Sequence, residues 1–152
     1  MDKVDIQVLR ALQTNAALSV ADLAELAGIS KSACWRRIQK LQAEGVITRR
    51  VTLLNPAALD LPLTVFVSVR TNQHNREWAD QFKQVVASLA GVLEVYRLGG
   101  DVDYLIKAQV KDLPDYDRLY QQLIKADLFD VSASFVMEEL KHTTELPLPA
   151  PT

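Results

Sequence analysis

This chain has one cysteine, two histidines, five glycines and no long apolar run. A single cysteine, Cys34, excludes an internal disulfide and a cysteine-rich zinc cluster. His74 and His142 lie far apart and lack metal-ligand spacing, so both read as surface residues. No segment approaches the roughly 20 apolar residues that span a bilayer. The stretch Met1-Asp2-Lys3-Val4-Asp5 has neither the basic region nor the apolar run of a secretory leader. A cytoplasmic protein with no membrane partner, no metal and no cofactor is expected. A large excess of one charge is also missing, since the net charge is −2.

What is present is an ordinary globular composition, 49% hydrophobic over 152 residues, enough for one domain or two small ones. The exception is Pro147-Leu148-Pro149-Ala150-Pro151-Thr152. Alternating prolines support neither a helix nor a ladder, so residues 147–152 are expected to form an extended, mobile tail. Charge is unevenly placed. Residues 1–52 hold eight Lys or Arg against five Asp or Glu, a net +3, and residues 53–152 carry −5. A basic first third on an acidic remainder suggests that only the first third meets phosphate.

The run Ile29-Ser30-Lys31-Ser32-Ala33-Cys34-Trp35-Arg36-Arg37-Ile38 is the most informative. Ser30 reads as a cap opening a helix. Cys34, Ile38 and Leu41 form one apolar stripe, and Lys31, Ser32, Arg36 and Lys40 lie on the solvent face. Upstream, Ser19 to Gly28 reads as a second capped helix closed by a glycine. Two such helices joined by a tight turn make a helix-turn-helix, whose second helix enters the DNA major groove. A first helix from Asp2 to about Asn15, with Ile6, Leu9 and Leu12 near one face, completes a three-helix unit. Val46 to Leu54 is rich in β-branched residues and predicts a strand, ended by Asn55-Pro56.

Beyond that boundary, period-2 and period-3.6 patterns alternate. Leu63, Val65, Val67 and Val69 predict a strand; Phe82, Val85, Val86 and Leu89 a helix; Leu93–Leu98 a strand. Gly99 to Asp103 predicts a tight connection. Tyr104, Ile106, Ala108 and Val110 predict the next strand, and Tyr116, Leu119, Tyr120, Leu123 and Ile124 the next helix. Val131 to about Leu140 predicts the last strand. The order βαββαβ implies a ferredoxin-like sandwich with both helices on one face of an antiparallel sheet. The other face is expected to include Phe66 and some of Leu105, Val136 and Leu140, an apolar surface suited to a second copy of the chain.

Taken in order, these features resemble the Lrp/AsnC family of amino-acid-responsive transcription regulators. The residues that carry the resemblance are Ile29-Ser30, Cys34, Arg37-Ile38 and Leu41, then Glu44-Gly45-Val46-Ile47, Leu53-Leu54-Asn55-Pro56, Gly100-Asp101-Val102-Asp103-Tyr104 and Met137-Glu138-Glu139-Leu140-Lys141. Cys34-Trp35 and Glu77-Trp78 are similar to regulators of cysteine detoxification. The resemblance implies an α+β chain: a winged-type helix-turn-helix with strand linker over residues 1–54, then a ferredoxin-like RAM domain over 55–146. It departs from the family at Lys31 and Ala33, where prolines are frequent, at Gly99, and at Val131 and Ala133, where hydroxyl side chains are frequent.

The implied partners are double-stranded DNA, an amino-acid effector, and further copies of the chain in a homodimer that assembles to a tetramer or octamer. The expected DNA-binding set is Lys31, Ser32, Ala33, Trp35, Arg36, Arg37, Lys40, Arg49 and Arg50. Arg36 suits a guanine edge, whereas Arg49 and Arg50 suit phosphates. Trp35 can equally pack on a neighbouring helix, and Arg37 can pair with Glu25 or Glu44 instead. Cys34 reads as a small buried hydrophobe, with a redox sensor as the alternative. The expected effector set is Leu98, Gly99, Gly100, Asp101, Asp103, Tyr104, Ala133 and Ser134. Glycine amides would take a carboxylate and an aspartate the ammonium. The rival readings are a decarboxylase-like enzyme of the same architecture and an assembly module without a ligand.

Overall fold

Three short polar side chains start the three helices of the N-terminal unit. Asp2 caps α1 (Lys3–Thr14), Ser19 caps α2 (Val20–Ala27) and Ser30 caps α3 (Lys31–Ala43). The first two are reciprocal boxes: the Asp5 amide donates to Asp2 and the Asp2 amide to Asp5, and Ser19 and Asp22 exchange the same bonds. Each cap satisfies amides that a helix start leaves without partners, worth about 1 kcal/mol. Gly28 ends α2 in the left-handed region at φ 65°, which lets the chain reverse in three residues. Val8, Leu12, Leu23, Ala24, Cys34 and Ile38 form the core of this unit, so the stripe on α3 is buried as its spacing predicts.

The computed structural model describes residues 1–151, which fall into two units. Met1–Leu53 groups with the residues from Lys141 on, and Leu54–Leu140 forms the other unit. The second unit follows the predicted order: β1 (Leu63–Arg70), α4 (Arg76–Ser88), β2 (Val92–Arg97), β3 (Tyr104–Val110), α5 (Leu113–Leu123) and β4 (Asp130–Phe135). The antiparallel sheet runs β2-β3-β1-β4. Val65, Val67 and Val69 on β1 and Ile106, Ala108 and Val110 on β3 pack with Trp78, Phe82, Leu119 and Leu123 from the helices. Trp78 is a core residue that the apolar stripe of α4 did not include. It stacks on Phe82 at 5.2 Å, and its indole N–H donates to the Ala126 carbonyl at 2.7 Å.

The structure corrects several expectations. Val46–Leu54 is not a strand: the Val46 and Ile47 amides turn back to the Leu41 carbonyl, and residues 48–54 meet no ladder partner among the described residues. β-branched composition cannot make a strand without a neighbour. β4 ends at Phe135, opposite Val65 of β1; the Val136 amide still donates to the Thr64 carbonyl at 3.0 Å, and residues 137–140 continue without a ladder. Ile124 lies past the end of α5, in a short 3-10 turn.

The open sheet face is mixed rather than apolar. By register it carries Phe66 and Leu105 among Glu94, Lys107, Gln109, Ser132 and Ser134. Lys107 pairs with Glu94 at 3.3 Å, and Thr64 donates to Gln109 at 2.9 Å. The C-terminal segment lies with the N-terminal unit, where the Gln13 amide group exchanges two 3.0 Å bonds with the Leu146 backbone. Among the described residues the segment from Lys141 on therefore groups with the N-terminal unit.

Candidate DNA-binding face and ligand pockets

Lys31, Ser32, Trp35, Arg36 and Lys40 are all exposed on α3, while Cys34, Ile38 and Leu41 point into the core. A 3.6-residue period separates the two faces. The Ser32 hydroxyl lies 3.2 Å from that of Ser30, and Lys40 is 3.7 Å from Glu44. Arg36 makes no hydrogen bond or ion pair among the described residues. Trp35 is 54% exposed and so is not buried against a neighbouring helix. Ala33 is half-buried, and its amide donates to the Ser30 hydroxyl oxygen at 3.2 Å. Arg49 and Arg50 are exposed on the extended segment after α3.

Arg37 behaves differently from its neighbours. Its Nη1 donates to Asp2 at 2.6 Å and to Asp5 at 2.7 Å, not to Glu25 or Glu44. It therefore ties α3 to the cap of α1 and leaves the set of free DNA readers. The Asp5 amide, together with Arg37, holds the Asp2 carboxyl below its ordinary value. A carboxylate lowered in the fold contributes its stabilisation above the unfolded value and loses it as pH falls through the lowered one. Arg37→Ala strands Asp5, whose side chain is only 12% exposed. The expected cost is about 1–3 kcal/mol at neutral pH. A thermal melt checks it, and an unchanged melting temperature would remove this tie from the account.

Cys34 is fully buried, and desolvation pushes its thiol up against the opposing pull of Arg37. A sensor thiol needs exposure and a lowered value, so the buried-hydrophobe reading holds.

The glycine turn in the second unit is only partly the ligand cradle that the sequence suggested. Leu98, Gly99, Gly100 and Asp101 are exposed, and Asp101 makes no hydrogen bond or ion pair among the described residues. Asp103 is already engaged. Its Oδ2 accepts the Thr71 amide at 2.8 Å, its amide donates to the Val69 carbonyl, and its carbonyl accepts the Leu98 amide. Asp103 thus clamps the end of β1 to the β2–β3 connection. Tyr104 packs its ring on Phe82 at 4.6 Å. Ala133 and Ser134 do not join the turn within one chain. They sit on β4, across β1 from β3, and alternation sends them to opposite faces: Ala133 to the core, Ser134 beside Phe66 on the open face.

Two cavities lie in the second unit. One, of about 570 Å³, is mostly apolar and lined by Leu54, Leu59, Leu89, Leu93 and Leu119, with Arg118 also in its wall. The other, of about 340 Å³, is polar and lies against Asp103 and Tyr104, with His74, Arg76, Lys83 and Arg97 in its wall. The pattern of the sequence left His74 as a surface residue and did not single out the other three. No group of three or more His, Cys, Asp or Glu able to hold a metal occurs among the described residues. No helix among them is long and apolar enough to cross a membrane.

Comparison with known proteins agrees with this two-part anatomy. Residues 1–48 match the profile described as winged helix-turn-helix DNA-binding, and residues 64–146 match the Lrp/AsnC ligand binding domain. A glutamate uptake regulatory protein of Zymomonas mobilis is 51% identical over 150 residues, spanning 98% of this chain and 92% of the relative. The crystal structure of an AsnC family transcriptional regulator from Agrobacterium tumefaciens is 49% identical, with a TM-score of 0.91 and 97% of each chain covered. A transcriptional regulator from Neisseria meningitidis, solved in complex with L-Met, is 32% identical with a TM-score of 0.90, covering 97% of this chain and 96% of the other.

Proposed function

The chain belongs to the Lrp/AsnC family of transcription regulators, and on that premise we propose that α3 reads promoter DNA while the C-terminal unit senses an amino acid. One observation carries the DNA half: the exposed row Lys31, Ser32, Arg36 and Lys40 on the face of α3 opposite its buried stripe. Arg36 forks to a base edge, Lys31 and Lys40 meet phosphates, and Arg49 and Arg50 clamp the backbone beside the groove. Trp35 lies against the groove wall, and Ser32 and Ala33 face the bases at the start of the helix.

The sensing half rests on family membership, on the L-Met bound to the Neisseria relative, and on the polar cavity beside the β2–β3 turn. Asp103 and Tyr104 line that cavity, and the exposed Gly99, Gly100 and Asp101 belong to the same turn without lining it. Asp103 holds the turn in place through one carboxylate oxygen and leaves the other for a ligand. The proposed assembly is a homodimer that builds larger oligomers, in the cytoplasm, without a cofactor. Two copies place two recognition helices on two half-sites, and a ligand that prefers one assembly over another changes DNA affinity by linkage. The enzyme reading gives way to this one because both domain matches describe binding functions.

Analytical ultracentrifugation with a labelled promoter duplex tests the proposal. The expected result is a dimer or larger species that binds duplex, with affinity falling as salt releases the phosphate contacts. A monomer indifferent to DNA would overturn it.

A further inference from the structure

The C-terminal unit is acidic, with eight Lys or Arg against thirteen Asp or Glu over residues 54–140. Three of those eight cations, Arg76, Lys83 and Arg97, line the single 340 Å³ cavity beside the glycine turn, joined there by His74. They come from three places: the loop into α4 and its first turn, the second turn of α4, and the end of β2. Their convergence is a product of the fold rather than a basic run in the sequence.

The acids in the same wall pair with only one of them, Lys83. Asp80 lies 3.7 Å from Lys83, and Asp103 spends one oxygen on the Thr71 amide. The side chains of Arg76, Arg97 and His74 have no hydrogen bond or ion pair among the described residues. In a unit with a surplus of carboxylates, two arginines at one cavity are left without a carboxylate partner. A guanidinium is always charged and presents a planar fork that fits a carboxylate bidentately. The cavity is at the small end of the range of about 300–1,000 Å³ typical of ligand sites.

We propose that this cavity selects a small ligand carrying two acid groups, an acidic amino acid or a related dicarboxylate, with Arg76 and Arg97 taking one carboxylate each. The second oxygen of Asp103 is the acceptor for an ammonium group, which favours the amino acid over the plain diacid. This proposal rests on the sensing role above and narrows it to a charge class. It also makes Arg76 and Arg97 specificity residues, whereas the glycine turn alone would accept the common backbone of any amino acid.

Calorimetry on the full chain distinguishes these ideas, with L-glutamate, succinate and L-methionine as probes and with the variants R76Q and R97Q. Arg97→Lys keeps the charge without the fork and guards against a folding defect. L-Glutamate is expected to bind the wild type more tightly than succinate, to lose at least tenfold in affinity in R76Q and in R97Q, and to recover part of it in R97K. Glutamate binding unchanged in both glutamine variants would overturn the assignment to this cavity. Binding of L-methionine alone would overturn the charge class and leave the sensing role standing. No binding of any of the three would overturn both.

Discussion

Phe82→Ala is expected to cost the C-terminal unit about 3–5 kcal/mol, because a fully buried aromatic leaves a cavity that its neighbours fill only in part. Phe82 is 1% exposed and sits at the middle of a ring cluster, 5.2 Å from Trp78 and 4.6 Å from Tyr104. Tyr104 begins β3 and follows Asp103, the residue that clamps the turn. The same substitution should therefore loosen the wall of the polar cavity as well as the core. Denaturant unfolding followed by tryptophan fluorescence would register the loss, since Trp78 stacks directly on the missing ring. A cost below about 1 kcal/mol would mean that this core is not packed as described.

Arg36→Ala is expected to weaken binding to a specific promoter site by about 1–3 kcal/mol, roughly a 5- to 150-fold loss, with little change in the melting temperature. Arg36 is exposed and unpaired among the described residues, so removing it disturbs no internal contact. The contrast with Arg37 is the sharper test. Arg37→Ala should lower stability through its bonds to Asp2 and Asp5, whereas Arg36→Ala should lower affinity alone. If both variants lost DNA affinity equally at equal stability, the assignment of one arginine to the fold and the other to the DNA would be wrong.

The N-terminal unit was legible in the sequence because its signals are local. Ser30 as a cap, Gly28 as a left-handed stop and the stripe of Cys34, Ile38 and Leu41 each sit within one or two helical turns of the feature they specify. The βαββαβ order was legible for the same reason, strand and helix periods being properties of short windows. What escaped depends on distant partners. Residues 46–54 have strand composition but no ladder partner, which composition cannot reveal. Trp78 lies outside the apolar stripe that predicts α4, and the carbonyl that satisfies its indole comes from Ala126, 48 residues later. Arg37 reads from the sequence as a DNA contact, with Glu25 or Glu44 as alternative partners, whereas the partners it meets, Asp2 and Asp5, lie more than thirty residues earlier. Asp103 was given a ligand because its commitment to the Thr71 amide appears only once β1 and β3 pair. Arg76, Lys83 and Arg97 were scattered cations until the fold set them around one cavity.

The central claim, that the solvent face of α3 gives this chain its DNA specificity, is tested most directly by sequencing the genomic fragments retained by the wild-type chain and by R36A at equal protein and salt concentrations. The account predicts that the wild type enriches a limited set of promoter fragments sharing a repeated half-site, and that R36A, folded and oligomeric as before, loses that enrichment while keeping weak, salt-sensitive binding to DNA of any sequence. The same fragments enriched to the same degree by R36A, or no shared sequence among those held by the wild type, would contradict it.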